Sequence, residues 1–93
     1  MLTAVLSEYI GTFIFLSIIL IVGEPLAIAV GLLAVIYAFG SISGGHMNPA
    51  VSTMMFAKGD IDLQTYVLYV IAQVLGGLTA LYWWMLNNKD KNK

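Results

Sequence analysis

The sequence predicts an all-α membrane protein of three spanning helices and one re-entrant half-helix. Composition is the first reason. Hydrophobic residues make up 60% of the 93 residues and charged residues 10%, whereas an ordinary soluble domain is about 45–50% apolar and about 25% charged. A soluble fold of this length has too little interior to hide that much apolar surface. The second reason is span length: apolar stretches approach or exceed the roughly 20 residues that cross a hydrocarbon core about 30 Å thick. The third is a shorter apolar run behind a Gly- and Ser-rich loop, about half the length a crossing needs.

The first span is Leu2–Val22, with one charge inside it, Glu8. It is too long for the apolar core of a signal peptide and no Lys or Arg precedes it, so it reads as a retained span. Gly23, Glu24 and Pro25 form a break, and Pro25 suits the first turn of the next helix. The second span runs from Leu26 to Phe39 or Ile42. Its shortness means that it begins in the Gly23–Pro25 turn or tilts little.

From Gly40 to Ala50 the chain turns Gly- and Ser-rich, yet His46 is its sole ionisable residue. Water-facing loops are usually more polar. The apolar piece that follows, counted from Asn48 to Ala57, would be roughly 15 Å long at 1.5 Å per residue. Non-helical backbone at membrane depth is tolerated only against protein or a water-filled cavity, so this is read as a re-entrant segment. Lys58, Gly59, Asp60, Ile61 and Asp62 make a polar turn. Gly59 stands where a left-handed C-terminal cap is expected, Lys58 suits the negative end of the helix, and Asp60 or Asp62 caps the last span. That span, Leu63–Leu86, ends in Tyr82, Trp83 and Trp84, an interfacial aromatic belt. The organisation is one transmembrane domain, 1–86, and a polar, disordered tail, 87–93.

Several function classes drop out. The net charge is −1 and there is no Arg, so no basic surface points to nucleic acid. There is no Cys and a single His, which leaves no thiolate nucleophile, disulfide framework or metal cluster within one chain. No cofactor is implied, and no nucleophile–base pair supports an enzyme.

Asn48-Pro49 carries the functional signal. Asn is a leading N-cap residue and Pro is favoured directly after it. The Asn oxygen accepts from the first helical turn, which frees its NH₂ to donate outward. A helix N-terminus carries roughly +0.5 elementary charge. Near the bilayer midplane this makes a fixed donor in a positive field, suited to a neutral oxygen-bearing solute and hostile to a cation.

Alone, Asn-Pro-Ala caps many helices. Here Ser43-Gly44-Gly45-His46-Met47-Asn48-Pro49-Ala50-Val51 resembles the first pore loop of the aquaporin, or major intrinsic protein, family. Glu8-Tyr9-Ile10-Gly11-Thr12 resembles that family's first-helix motif, and Ala72-Gln73-Val74-Leu75-Gly76-Gly77 its third-helix motif. All three are in register with the elements above, from Ser7 to about Ala80. The resemblance implies half of an aquaporin-like inverted-repeat fold and a channel for water or small uncharged solutes. It implies that Asn48 donates to the permeant, beside Pro49 and Ala50, and that the carbonyls of Gly44, Gly45, His46 and Met47 form a ladder of acceptors. Glu8 and Gln73 would hold the loop from inside the bundle, and His46 would brace it. Gly76 and Gly77 would let helices approach closely.

The chain departs from the family in holding one half where the family holds two in inverted orientation. A homodimer of antiparallel protomers would restore both halves, as inverted repeats do. Lys58 falls on the N-terminal side of the membrane and Lys89, Lys91 and Lys93 on the other. The positive-inside rule therefore favours a cytoplasmic C-terminus, whereas the resemblance favours a cytoplasmic N-terminus. Insertion in both orientations reconciles the two. Where the family's second half has Arg after its Asn-Pro-Ala, this chain has Val51, and spacing sets Ile28 at the second-helix filter position. The expected constriction is apolar and passes small neutral solutes as well as water. Two other readings fit the same residues: a truncated subunit that assembles with a full-length channel, or a fragment whose second half follows in a longer chain.

Overall fold

A computed structural model describes residues 1–88. Four helices follow in order: α1, Leu2–Ile21; α2, Pro25–Ser43; α3, Pro49–Lys58; and α4, Leu63–Asn88. Three of them, α1, α2 and α4, are long and apolar enough to cross a membrane. The fourth, α3, has 10 residues and covers about half that distance at 1.5 Å per residue. The chain thus has the predicted architecture.

The helix ends follow from named groups. Gly23, at φ 67°, closes α1 by donating to the Ile18 carbonyl at 3.3 Å. Glu24 caps α2: its two carboxylate oxygens accept from the Leu26 and Ala27 amides, each at 2.9 Å, with Pro25 in the first turn. The Leu26 bond first, then the Ala27 bond, holds the Glu24 carboxyl below the usual carboxylate range. Gly59 ends α3 in the left-handed conformation, φ 96°, and Asp60 donates back to the Met55 carbonyl at 2.9 Å. Asp62, rather than Asp60, caps α4 by accepting from the Thr65 amide at 2.8 Å.

Two boundaries differ from expectation. Gly40–Ser43 belongs to α2, so the irregular segment shrinks to Gly44–Asn48. Each residue kept in the helix keeps its N–H and C=O paired where water is scarce. The stop comes at Gly44, whose φ of 92° closes the last turn onto the Gly40 carbonyl at 2.9 Å. At the far end Asn87 and Asn88, read from sequence as tail, are the last residues of α4. Their side-chain amides donate to the Trp83 and Trp84 carbonyls at 2.8 and 2.9 Å, which covers acceptors that a helix end leaves bare. Lys89, Lys91 and Lys93, and with them the rest of the predicted tail, lie outside the described residues.

The centre of the bundle is α1, which packs against α2 on one side and α4 on the other, while α3 leans on α4. Small residues set the α1–α4 approach. A Cβ on Gly76 would stand 2.7 Å from the Tyr9 carbonyl oxygen and 3.2 Å from the Phe13 nitrogen. The Tyr9 hydroxyl donates to Thr79 Oγ1 at 2.8 Å. Phe56 of α3 stacks on Tyr66 of α4 with ring centres 4.8 Å apart. Among the described residues α2 and α3 do not pack on each other, so a groove stays open between them. The burial pattern is inverted relative to a soluble protein: Ser7, Glu8, Thr12, Ser43, His46, Ser52 and Gln73 are buried, whereas Leu2, Leu26, Leu63 and Leu78 are exposed. This is the pattern of a chain whose solvent is lipid.

The two neighbouring glycines should respond differently to a methyl group. Gly76→Ala drives a Cβ into backbone and should lower stability by about 1–3 kcal/mol. At Gly77 the obstruction is a side-chain tip, Leu16 Cδ1, at 2.8 Å, so Gly77→Ala should cost clearly less. Unfolding curves in lipid-like micelles check the order; equal losses would mean that the α1–α4 approach is not set at Gly76.

Candidate functional site

The segment Gly44–Asn48 carries the candidate site. Three of its residues are left-handed: Gly44 (φ 92°), Gly45 (φ 65°) and Met47 (φ 54°). For glycine this costs little, but for Met47 it costs roughly 1–2 kcal/mol. Such a conformation persists only where surrounding bonds over-determine it.

Glu8 supplies those bonds. Its Oε2 accepts from Ser43 Oγ at 2.6 Å and from the His46 amide at 3.0 Å. Its Oε1 accepts from the Met47 amide at 2.8 Å and from Gln73 Nε2 at 2.8 Å. A carboxylate has about four lone-pair sites, and all are used. The residue is fully buried and joins α1, the end of α2, the loop and α4.

A second tier supports the first. Gln73 Nε2 also donates to Ser52 Oγ at 2.9 Å, and Ser52 Oγ meets His46 Nδ1 at 2.7 Å. The His46 ring stands edge-on to Tyr69, centres 5.1 Å apart, and the Tyr69 hydroxyl donates to the Ser43 carbonyl at 2.7 Å. The Met47 side chain turns inward, only 2% exposed. Thr12 Oγ1 donates to its sulfur at 3.8 Å, and the absent side chain of Gly11 leaves the space it fills. Met47 therefore anchors the loop with its side chain and offers the groove its backbone.

Asn48 caps α3 with Oδ1, which accepts from the Ala50 amide at 2.8 Å. Its Nδ2 has no partner among the described residues, and Asn48, Pro49 and Ala50 are all exposed. The carbonyls of Gly44, Gly45, His46 and Met47 also accept no hydrogen bond among the described residues. Backbone acceptors inside a fold are normally paired; these four stand at a bend whose first residue, Gly44, is exposed.

The groove between α2 and α3 encloses about 420 Å³. Leu32 and Ile36 of α2, Val51 and Met55 of α3, and Phe15 of α1 wall it, and Gly44–Asn48 crosses it. The structure thus gathers Gly44, Gly45, His46, Met47, Asn48 and Val51 around one groove. Ile28 is not in that wall. It lies one helical turn before Leu32 on the same face, further along the groove's line. A second groove, of about 430 Å³, lies on the other side of Asn48 and Pro49 against Thr12, Leu16, Gln73 and Gly77. Sequence reading gave Ser52 and Tyr69 no role, and Ser43 none beyond its place at the head of the pore-loop motif; Ser52 and Tyr69 gave no signal beyond being polar residues with apolar neighbours.

Three membrane-length helices folded around a buried polar loop define a multi-pass integral membrane protein. The chain belongs to the major intrinsic protein family, whose profile matches residues 1–92. It is 44% identical to a glycerol uptake facilitator protein-like 6 of Lactiplantibacillus plantarum, over 81% of this chain and 39% of that protein. It is 46% identical to an aquaporin Z of Photorhabdus laumondii subsp. laumondii, over 63% of this chain and 26% of that protein. The matched region therefore spans well under half the length of either relative. No solved structure matches the chain.

Removing the central carboxylate should leave several buried donors without acceptors, at about 1–3 kcal/mol each. Glu8→Ala should thus lose more than about 3 kcal/mol of stability, and Tyr69→Phe, which frees one acceptor, about 1 kcal/mol. Denaturant titration in micelles compares them; a Glu8→Ala loss no larger than that of Tyr69→Phe would contradict the central role of Glu8.

Proposed function

We propose that the groove between α2 and α3 is one half of a conduction path for water and small uncharged solutes of glycerol size. A second copy of this chain, inserted the other way up, supplies the other half. The observation that carries this reading is the state of Asn48. Its oxygen is committed to the helix start, its Nδ2 has no partner among the described residues, and it stands at an exposed helix N-terminus beside four carbonyls that likewise have none there. Donor and acceptors together match a hydroxyl group, which needs both. The Leu32, Ile36, Val51 and Met55 walls offer a passing solute nothing to stick to.

Charge selection follows from the same parts. The α3 N-terminus carries roughly +0.5 elementary charge, and an antiparallel pair would bring two such ends together. A cation would meet that field with apolar walls in place of its hydration shell. Val51 and Ile28 add no charged filter, so discrimination among small neutral solutes is expected to be loose. Permeation makes and breaks no covalent bond, and no enzyme activity is proposed. Completion of the path by another polypeptide is the second reading, favoured by the 39% share of its relative that the chain matches.

Osmotic shrinkage of liposomes holding only this chain tests the proposal. Water and glycerol permeability should rise well above that of empty liposomes, and Asn48→Leu should lower both by roughly tenfold, the equivalent of about 1.4 kcal/mol. Background permeability from protein shown to be folded and inserted would reject the self-paired channel and leave the second reading.

A further inference from the structure

The buried network runs in one direction, and that direction reaches the groove. A carboxylate can only accept. Gln73 therefore turns its NH₂ toward Glu8 Oε1, 2.8 Å away, and the same nitrogen donates to Ser52 Oγ at 2.9 Å. Flipping the amide would set its oxygen against the carboxylate. The enforced orientation leaves Gln73 Oε1 buried without a partner, as expected of an amide that is not free to turn.

Ser52 Oγ, having accepted from Gln73, has one hydrogen to give. A helical serine often gives it to the carbonyl four residues back, as Thr53 does to the Pro49 carbonyl at 2.7 Å. Ser52 makes no such bond, and among the described residues its remaining partner is His46 Nδ1 at 2.7 Å. An Nδ1 that accepts carries no hydrogen, so the neutral ring bears its hydrogen on Nε2.

Nε2 itself has no hydrogen-bond partner among the described residues. The buried side-chain polar atoms without partners there are Ser17 Oγ and Gln73 Oε1, so Nε2 is not sealed in. His46 lines the groove beside Gly44 and Asn48, and a Cβ on Gly44 would crowd Nε2 and Cδ2 at 3.3 Å. Glycine at position 44 keeps that edge of the ring uncovered.

The geometry points to His46 as a second solute-binding donor: locked as the Nε2–H tautomer through Ser52, Gln73 and Glu8, it offers that N–H to the oxygen of a small hydroxylated solute in the groove. The solute contact rests on the conduction reading above; the tautomer lock does not. Glu8, Gln73 and Ser52 are positioning residues in this scheme. Two N–H donors, at His46 and Asn48, would flank the carbonyls of Gly44–Met47, an arrangement that favours molecules carrying hydroxyl groups over purely apolar ones of the same size.

The protein has a single His, so ¹⁵N-histidine NMR of the full chain in bilayers at alkaline pH needs no assignment. The expected spectrum shows a protonated, pyrrole-type nitrogen correlated with Cδ2 and an unprotonated nitrogen at Nδ1. Ser52→Ala should give a mixture of tautomers, and Ser52→Thr, which keeps the hydroxyl, should restore the single form. A wild-type spectrum with the hydrogen on Nδ1, or as a mixture, would overturn the lock. Magnetisation transfer from water, and from added glycerol, to the Nε2–H tests the donor role, and a silent Nε2–H would overturn it. Both readouts are independent of flux, so a failed conduction assay with a locked tautomer would reject the channel and leave the lock standing.

Discussion

A carboxylate buried in a membrane bundle, with no cation beside it among the described residues, is the constraint around which this chain is arranged. Taking such a charge out of water costs several kcal/mol even after relaxation. Among the described residues Glu8 has no basic partner; four hydrogen-bond donors surround it, two of them loop amides. The relation works in both directions. The loop amides have no secondary-structure partners, and in lipid an unpaired N–H costs several kcal/mol. Glu8 satisfies them, and they satisfy Glu8. Non-helical backbone can therefore persist at this depth, and it can do so with its carbonyls left unpaired.

The same bonds explain the twisted course of the loop. With Gly44, Gly45 and Met47 all left-handed, the chain reverses from α2 into α3 within five residues. Met47 is the one that bears strain, and it is held at three points: its amide on Glu8, its sulfur on Thr12, and its side chain over Gly11. The result separates two jobs. Side chains of Met47, Ser43 and Ser52 face inward and fix position, while the loop carbonyls and the Asn48 NH₂ remain uncommitted among the described residues.

Much of this was legible in the sequence, for physical reasons that differ by element. Spans are legible because lipid demands about 20 apolar residues, which composition reveals directly. The N-cap at Asn48 and the cap at Gly59 are legible because each depends on a residue's own chemistry. Glu8 stood out as a charge inside a span, and Gln73 through the third-helix motif that the chain shares with its family. Ser52, Ser43 and Tyr69 did not, because their partners lie 6 to 35 residues away and a lone hydroxyl on an apolar helix has many uses. The end of α2 was misjudged by a few residues because Gly40 and Gly44 send the same signal. The choice between them is made by the surroundings: Gly40 can stay helical and keep its backbone paired, whereas Gly44 must turn to bring the next amides to Glu8. Met47 carries no sequence mark of its left-handed backbone.

Among the described residues the side of the bundle between α2 and α3 is open. Helix α1 is flanked by α2 and α4, α3 rests on α4, and the grooves on either side of Asn48 open outward. Lipid tails cannot satisfy what those grooves present: the Asn48 NH₂ and four loop carbonyls, all without hydrogen-bond partners among the described residues. Bare polar atoms facing hydrocarbon would be penalised, and at Glu8 every acceptor site is paired. On the conduction reading proposed above, these groups would meet water, a solute or an inverted second half. The interior fixes the loop, and the loop in turn concentrates the remaining hydrogen-bonding capacity on the side of the molecule that this chain leaves open.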